Sequence, residues 1–418
     1  MPVVIPGSPF PISWPDSVQL SAFSCINVNQ NFSTFSSQQQ YGDDTTHWET
    51  LAAGTGVTSF LPNESTILMS TGGTASTASI IRQTRLYNRY YPGHGLTIFQ
   101  TFCFTGGATF TNNTRRIGYF DTANGVYLEC AGNTISLVLR SSVSGAVVET
   151  RAVQSAWNVD TFGAGSQNPS GVTINWAMAQ IVGFNIQWLG VGRLRIAFDI
   201  GGILLGAHCF NNANLVATAY MTTANLPLRL ENFNTGIASG TATLRHICSA
   251  VNTDGGSETS YGRLYCANNG AAGLSIANNH TTPVLSLQAA TTGPNSVRNT
   301  GQIILEQYDV AILSSNNIFW QLVLNPTLTG ASFSSFGSSS IANVDTSATA
   351  YSGGTVLDAG NITGSASAKG SQLNQADIKT LVLAYSTLLN HQDVITLVCT
   401  SVGGITTAFC NFQWLEVW

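Results

Sequence analysis

From Arg193 to Ile200 the chain alternates strictly, with Leu194, Ile196, Phe198 and Ile200 on one side and Arg193, Arg195, Ala197 and Asp199 on the other. Successive side chains of a strand point to opposite faces, so this pattern predicts a two-faced strand and not a helix. Gly201-Gly202 supplies a turn, and Ile203 to His208 reads as the returning strand of a hairpin. The same texture recurs along the chain. Thr97 to Phe104 is one strand; Ile117 to Phe120, the turn Asp121 to Gly125, and Val126 to Cys130 form a second hairpin. Ile135 to Arg140 places Ile135, Leu137 and Leu139 inward, and Ser141 to Gly145 turns the chain into Ala146 to Arg151. The pattern breaks at Asn252 to Ser260 and then resumes in Gly301 to Ile312, Ile318 to Leu324, Leu381 to Tyr385, Val394 to Thr400 and Ala408 to Trp418. A Ser/Gly-rich stretch from Gly330 to Gly370 predicts long loops with short strands, and Ser371 to Leu383 is the best helix candidate.

Many short strands separated by Gly, Asn and Asp turns predict an all-β protein: two β-sandwich (jelly-roll-like) domains with long loops. The expected domains are residues 20–252 and 253–418, preceded by an arm at 1–19. Five of the twelve prolines fall in the first fifteen residues: Pro2, Pro6, Pro9, Pro11 and Pro15. Each fixes its own φ, removes a backbone donor and biases the preceding residue toward extended conformations. The segment therefore reads as an extended arm lying on another surface, with Trp14 as an anchor for a neighbour's pocket.

Composition sharpens this picture. Only 8% of the 418 residues are charged, whereas an average soluble domain has about 25%. Gly, Ser, Thr and Asn fill the gap in a chain that is 44% hydrophobic. So few charges protect a free monomer poorly against association, which points to a surface covered by other copies or partners. The net charge is −5 with no basic run, so nucleic acid is not an expected partner. There is no apolar run long enough for a transmembrane helix and no signal-peptide pattern at Met1 to Ser17, so the expectation is assembly in a host cytoplasm without membrane insertion. The eight cysteines show no CxxC pair and read as small buried hydrophobes with reduced thiols. Cys399 and Cys410 flank Gly403-Gly404 closely enough for the turn to bring them opposite each other.

Catalytic and metal chemistry is thinly represented. Neither lysine, Lys369 or Lys379, sits in a phosphate-binding Gly-Lys-Ser/Thr loop. His208-Cys209 and His246-x-Cys248 are poor zinc sets because they lie on presumed strands. Asp43-Asp44 and Asp121 to Asn124 are ordinary turn residues that could also be imagined around calcium. The carboxylates Glu129, Asp160, Asp199 and Glu231 each have a simpler role beside an arginine or in a turn, and no GxSxG elbow occurs. The expectation is a non-enzyme with no cofactor and no metal. Arg82, Arg85 and Arg89 flank the tyrosines of a Tyr-rich turn and suit bidentate contacts to carboxylates of an adjacent chain; Tyr90 and Tyr91 belong to the same candidate interface, as do Pro6, Pro9, Pro11, Trp14 and Pro15 of the arm. Trp157, Trp176, Trp188 and Trp320 read as core or subunit contacts.

Four segments in this order carry a resemblance: RQTRLYNRYYPGHG (Arg82 to Gly95), RIGYFDTANGVYLE (Arg116 to Glu129), Ser155 to Trp176 with QWLGVGRLRIAF (Gln187 to Phe198), and TTANLPLRLENFNTG (Thr222 to Gly236). Together they resemble an uncharacterised family of virion structural proteins of tailed bacteriophages, many from marine viromes, with relatives in large double-stranded DNA viruses. The similarity runs from about residue 80 to 260 and more faintly to Trp414-Leu-Glu416. It implies a particle component located in the virion and transfers no functional residue. The resulting expectation is a capsid-associated or decoration (cement) protein, homo-oligomeric (a trimer if one state is chosen), whose partners are the major capsid protein or tail proteins. The alternative is a receptor-binding fibre, knob or baseplate component that touches a host-surface glycan.

Overall fold

The hairpin at Leu194–Ile200 and Ile203–Phe210 shows how the sequence writes this architecture. Gly201 and Gly202 both adopt positive φ (64° and 84°), the geometry a two-residue hairpin turn demands, and the Gly202 N–H donates to Asp199 Oδ1 at 2.9 Å. A register shift between Ile196 and Ala197 leaves Ala207 without an opposite residue, so Ala207 and His208 are both buried. Leu194, Ile196 and Phe198 face the core as the alternation requires.

The protein is known from a computed structural model, which describes residues 31–254, 262–364, 371–374 and 381–418. The N-terminal arm with Pro6, Pro9, Pro11, Trp14 and Pro15 lies outside the described residues. Among the described residues there is no α-helix, only three single-turn 3-10 segments, so no helix there is long and apolar enough to cross a membrane. The strands form antiparallel sheets stacked as β-sandwiches.

In the first sandwich one sheet runs in the order Ile203–Phe210, Leu194–Ile200, Ala179–Ile186, Leu96–Cys103, Thr243–Asp254, Thr66–Ser70, Val57–Leu61, with Asn31–Gln38 also paired to Thr243–Asp254. The facing sheet runs Val148–Val153, Thr134–Ser141, Gly125–Ala131, Asn113–Phe120, Leu228–Asn234, Ser79–Thr84, Trp48–Ala53. Neighbours such as Leu96–Cys103 and Thr243–Asp254 are far apart in sequence, which gives the jelly-roll-like crossing of the chain. Between the sheets lies a core that includes Ile98, Phe102, Val182, Phe184, Ile196, Phe198, Ile117, Leu128, Leu137 and Leu230.

A second core, which includes Leu285, Leu305, Val310, Trp320, Leu322, Leu397, Phe412 and Trp414, lies between two further sheets. One is ordered Arg263–Asn268, Thr406–Val417, Gln302–Ile312, Ser371–Asn374; the other Ser334–Ser335, Ala342–Asp345, Thr281–Ala289, Val394–Val402, Asn317–Leu324, Thr355–Ile362. The stretch expected to be mostly loop therefore includes a full eight-residue strand at Thr355–Ile362. The helix expected at Ser371 to Leu383 is corrected at both of its ends. Ser371–Asn374 pairs with Tyr308 to Ala311, and Val382–Leu383 pairs with Ile303 and Ile304. The reason is local: strand Gln302–Ile312 has one side open, and pairing its backbone groups outweighs a weak helix propensity.

The tryptophans divide by depth. Trp157 stacks on Phe198 with ring centroids 5.8 Å apart and planes 14° apart, meets Phe162 and Trp176 edge-on, and donates its indole N–H to the Ala152 carbonyl at 3.0 Å. Trp320 is equally buried in the second core, whereas Trp176 and Trp188 are only partly covered. Replacing Trp157 with Ala empties a site closed by three other rings and is expected to destabilise the first sandwich by about 3–5 kcal/mol. Urea unfolding followed by near-UV circular dichroism measures this, and the half-buried Trp188→Ala should cost clearly less.

Candidate functional site

The turn singled out by its arginines and tyrosines is divided among three environments. Arg82 sits on the inward face of strand Ser79–Thr84 with no exposed side-chain surface. Its guanidinium pairs with Asp43 at 2.7 Å, donates to Thr50 Oγ1 at 3.1 Å and to His246 Nδ1 at 3.4 Å, and lies over the Trp48 ring. Burial and the Arg82 charge hold His246 well below the ordinary imidazole range, so it is neutral and shares a 2.9 Å hydrogen bond with Ser249. Tyr90 is buried too: its hydroxyl accepts the Trp188 N–H at 3.1 Å and its own N–H donates to Asn225 Oδ1 at 2.8 Å. Arg85 reaches across to Asp393 in the second sandwich at 2.8 Å. Arg82, Arg85 and Tyr90 thus find their partners within the chain, because the strand's alternation and the second sandwich bring those partners to them. Arg89 and Tyr91 remain half-buried, the guanidinium stacked over the ring at 5.1 Å, and both line a cleft of about 340 Å³ together with His47, Tyr87 and Gln302.

The larger charged assembly was not legible as a unit in the sequence. On the face of the second-named sheet that points away from the core, Gln83, Arg229, Glu231, Arg116, Glu129, Arg151, Glu149 and Arg140 link side chain to side chain. Gln83 receives Arg229 at 2.6 Å, and Arg229 also grips Glu231 at 2.7 Å. Arg116 bridges Glu231 at 3.0 Å and Glu129 at 2.8 Å. Arg151 joins Glu129 to Glu149, and Arg140 holds Glu149 at 2.7 Å while Tyr127 donates to the same carboxylate at 2.7 Å. Strand register places these residues opposite one another, since Arg116 faces both Glu231 and Glu129. Burial alone would push the Glu149 carboxyl up, but hydrogen bonds from Tyr127 and Arg140 and the two arginine charges pull it down to about 2. Glu231 behaves alike: burial opposes ionisation, yet Arg229 and Arg116 hold it below the usual carboxylate range. One arginine stands apart from this assembly. Arg115 points into the core, gives its N–H groups to the carbonyls of Gly107, Thr105 and Thr243, and is covered by the rings of Phe104 and Phe110.

The remaining candidate chemistry is spoken for by local structure. Asp121 accepts the N–H groups of Ala123 and Asn124, as a turn aspartate does, and pairs with Arg298 of the second sandwich. Asp160 accepts from Phe162 and Ser170, and Asp199 from Gly202. His208 accepts the Asn158 N–H at 3.2 Å, and burial lowers it to about 4. Among the described residues no three His, Cys, Asp or Glu side chains converge as a metal would require.

A trough of about 410 Å³ crosses the outer face of the first-named sheet. Small residues make its floor, since Gly183, Ala197 and Gly206 lie opposite one another on three adjacent strands. Phe99 and Leu204 close over Gly183, where an added Cβ would meet the Phe99 ring at 3.2 Å and Leu204 at 3.4 Å. Thr97, Asn185 and Arg195 line it on one side, with Asn185 donating to Thr97 Oγ1 at 2.9 Å. Sequence reading missed this feature because its floor is made by the absence of side chains.

No protein-family model matches the chain, and no curated protein matches it. Solved structures similar to it include an endo-1,3-beta-glucanase from Streptomyces sioyaensis (11% identity, 54% of this chain and 97% of that one, TM-score 0.37). An endo-beta-1,4-glucuronan lyase from Trichoderma reesei is also similar (12% identity, 53% and 95%, TM-score 0.33), as is the CBM2 module of the evolved Dit of Lactobacillus casei BL23 phage J-1 (5% identity, 56% and 100%, TM-score 0.33). At these scores the likeness carries no functional argument.

The charge assembly has a pH signature. Because the folded Glu149 carboxyl lies at about 2 against an ordinary 4.5, its contribution to stability is complete above pH 4.5 and is lost as pH falls toward 2. Thermal melts of Glu149→Gln are expected to show a flatter decline across that window than wild type. At neutral pH the same variant should cost about 1–3 kcal/mol, because Arg140 and Tyr127 lose a charged acceptor.

Proposed function

We propose that this chain is a virion structural protein of the capsid-associated, decoration type, which stabilises a particle by burying its surface against neighbouring copies and other particle proteins, with no chemical step. The observation that carries this reading is where the charges are. Arg82, Arg115, Arg140 and Arg229 are buried in the first sandwich along with Glu129 and Glu231, and the partly buried Arg116 pairs with both of those carboxylates, so part of an already small complement of charges is used up in the interior. The outside is rich in Ser, Thr, Asn and Gly, with scattered charges such as Arg195, Arg263 and Asp358, and is dotted with apolar side chains, including Ile203 (64% exposed), Leu215 (74%) and Ile237 (78%). Such a surface gains by being covered and offers little charge repulsion to a neighbour.

One place for such a contact is the sheet edge at Ile203 to Gly206. Farther along that strand Val159 and Asp160 donate their N–H groups to the Ala207 carbonyl, and Asn158 bonds the Cys209 backbone twice, which covers the edge there. Among the described residues nothing gives Ile203 and Leu204 such cover, and they carry no charge, the condition in which an edge strand invites a partner.

The second reading, a receptor- or glycan-binding fibre, knob or baseplate component, is favoured by the trough over Gly183. Its aromatic wall at Phe99 and polar side at Asn185 and Thr97 suit a sugar ring and its hydroxyls.

Two measurements separate the readings. Sedimentation of the purified chain is expected to give a homo-oligomer, with Leu204→Lys weakening it by tenfold or more (about 1.4 kcal/mol). Quantifying the chain in dissociated particles is expected to give hundreds of copies; a dozen or fewer, together with glycan binding abolished by Phe99→Ala, would establish the second reading instead.

A further inference from the structure

We propose that Cys399 and Cys410 are an oxidisable pair whose disulfide staples the two sheets of the second sandwich together. The two residues lie on consecutive strands, Val394–Val402 and Thr406–Val417, that belong to opposite sheets of that sandwich. Their sulfurs face each other across the core at 4.0 Å, with Cys399 fully buried and Cys410 2% exposed. A disulfide needs the sulfurs at about 2.05 Å, so closure asks for roughly 2 Å of approach, within the reach of side-chain rotation and a small shift of the sheets. Both cysteines belong to the same apolar core cluster as Trp320, Ile318, Ile312 and Ala408. The remaining free cysteines among the described residues lie elsewhere in the fold, and none is recorded in sulfur contact with another.

In the closed sandwich both thiols are shielded, and the hydrogen bond shared with Cys399, together with burial, keeps the Cys410 thiol protonated. Reaction therefore requires the two strands to part near the turn that joins them. The tip is where that parting starts: Gly403 and Gly404 carry the turn, Ile405 is 65% exposed, and the turn is held by side-chain bonds alone at its end, from Asn316 and Ser314 to the Ile405 carbonyl at 2.9 and 3.3 Å and from Ser401 to the Gly404 carbonyl. With a small-molecule disulfide such as oxidised glutathione as oxidant, one cysteine thiolate attacks it and releases one reduced glutathione. The second cysteine thiolate then attacks the mixed disulfide and releases the other. The protein loses two hydrogens as the oxidant takes up two electrons and two protons.

The sequence makes the product easy to read. No lysine or arginine follows Lys379, so trypsin releases 380–418 as one fragment holding both cysteines, while exposed Cys266 falls in a different fragment bounded by Arg263 and Arg298. The full chain is incubated with oxidised glutathione, with and without mild urea, then alkylated, digested and weighed without reduction. The expected result is a 380–418 fragment lighter by two hydrogens and free of alkylation. It should be accompanied by a melting temperature raised by roughly 5–10 °C relative to reduced protein. Cys399→Ala and Cys410→Ala should each abolish both changes. The proposal is overturned if the fragment stays doubly alkylated under conditions that convert Cys266 fully to its mixed disulfide. It is equally overturned if Cys399 or Cys410 stops at a mixed disulfide, or if the crosslink forms without any rise in melting temperature.

Discussion

Burying both faces of one sheet is the constraint on which the rest of the first sandwich depends. Strands Asn113–Phe120, Gly125–Ala131, Thr134–Ser141 and Leu228–Asn234 present Ile117, Leu128, Leu137 and Leu230 to the core, and they present Arg116, Glu129, Arg140 and Glu231 to a second buried layer on the other side. A buried arginine is tolerable only if every partner is supplied. Each guanidinium here has its carboxylates on the neighbouring strands, and Tyr127 and Phe120 cover the layer with their rings. Exchanging such a network for apolar residues is often neutral in stability, so its value lies in selection. A slip of one residue between Asn113–Phe120 and its neighbours would send Arg116 into the apolar core and Ile117 into the charged layer. Only one register satisfies both faces.

That double burial explains what could and could not be read from the chain. Period-two alternation was enough for the hairpin Leu194–Ile200 with Ile203–Phe210 and for the inward set Ile135, Leu137 and Leu139, because those strands have apolar residues on one face. It was misleading for what the other face does. Ser136, Val138 and Arg140 look like a solvent face, yet they are buried, since their cover comes from Glu149 and Tyr127 on adjacent strands. Arg82, Arg85 and Arg89 look like one exposed cluster. Arg82, however, falls on the inward face of its strand, and Arg85 is met by Asp393, more than three hundred residues later. Pairings at that distance leave no trace in local spacing. Cys399 and Cys410 were legible for the opposite reason: their separation is set by one short turn.

The two sandwiches meet through directional polar contacts. Tyr87 bonds Thr387 at 2.9 Å and lies beside the Asp121–Arg298 pair, Gln302 donates to the Tyr87 carbonyl at 2.9 Å, and Arg85 reaches Asp393. Burial first, and the Asp121 charge second, push the Tyr87 hydroxyl up to about 12, so it stays protonated and can donate throughout the physiological range. Apolar faces can slide over one another at little cost, whereas these bonds are made at one mutual orientation. A particle component that must present two surfaces at a defined angle gains from such a joint, and the residues that form it sit next to the Arg89–Tyr91 cleft.

Charge economy is what connects this interior to the proposed role. Surface charges act over roughly a Debye length, about 8–10 Å at physiological ionic strength, and their contacts weaken as salt rises. A chain that is only 8% charged, with some of those charges buried, has little long-range steering, and its associations rest chiefly on short-range burial of groups such as Ile203, Leu204 and Ile237. Contacts of that kind form slowly at low concentration but hold across changes in salt. That combination suits a subunit concentrated on a particle surface during assembly and then released into whatever medium lies outside the cell. It suits far less well a protein that must find a charged ligand by diffusion.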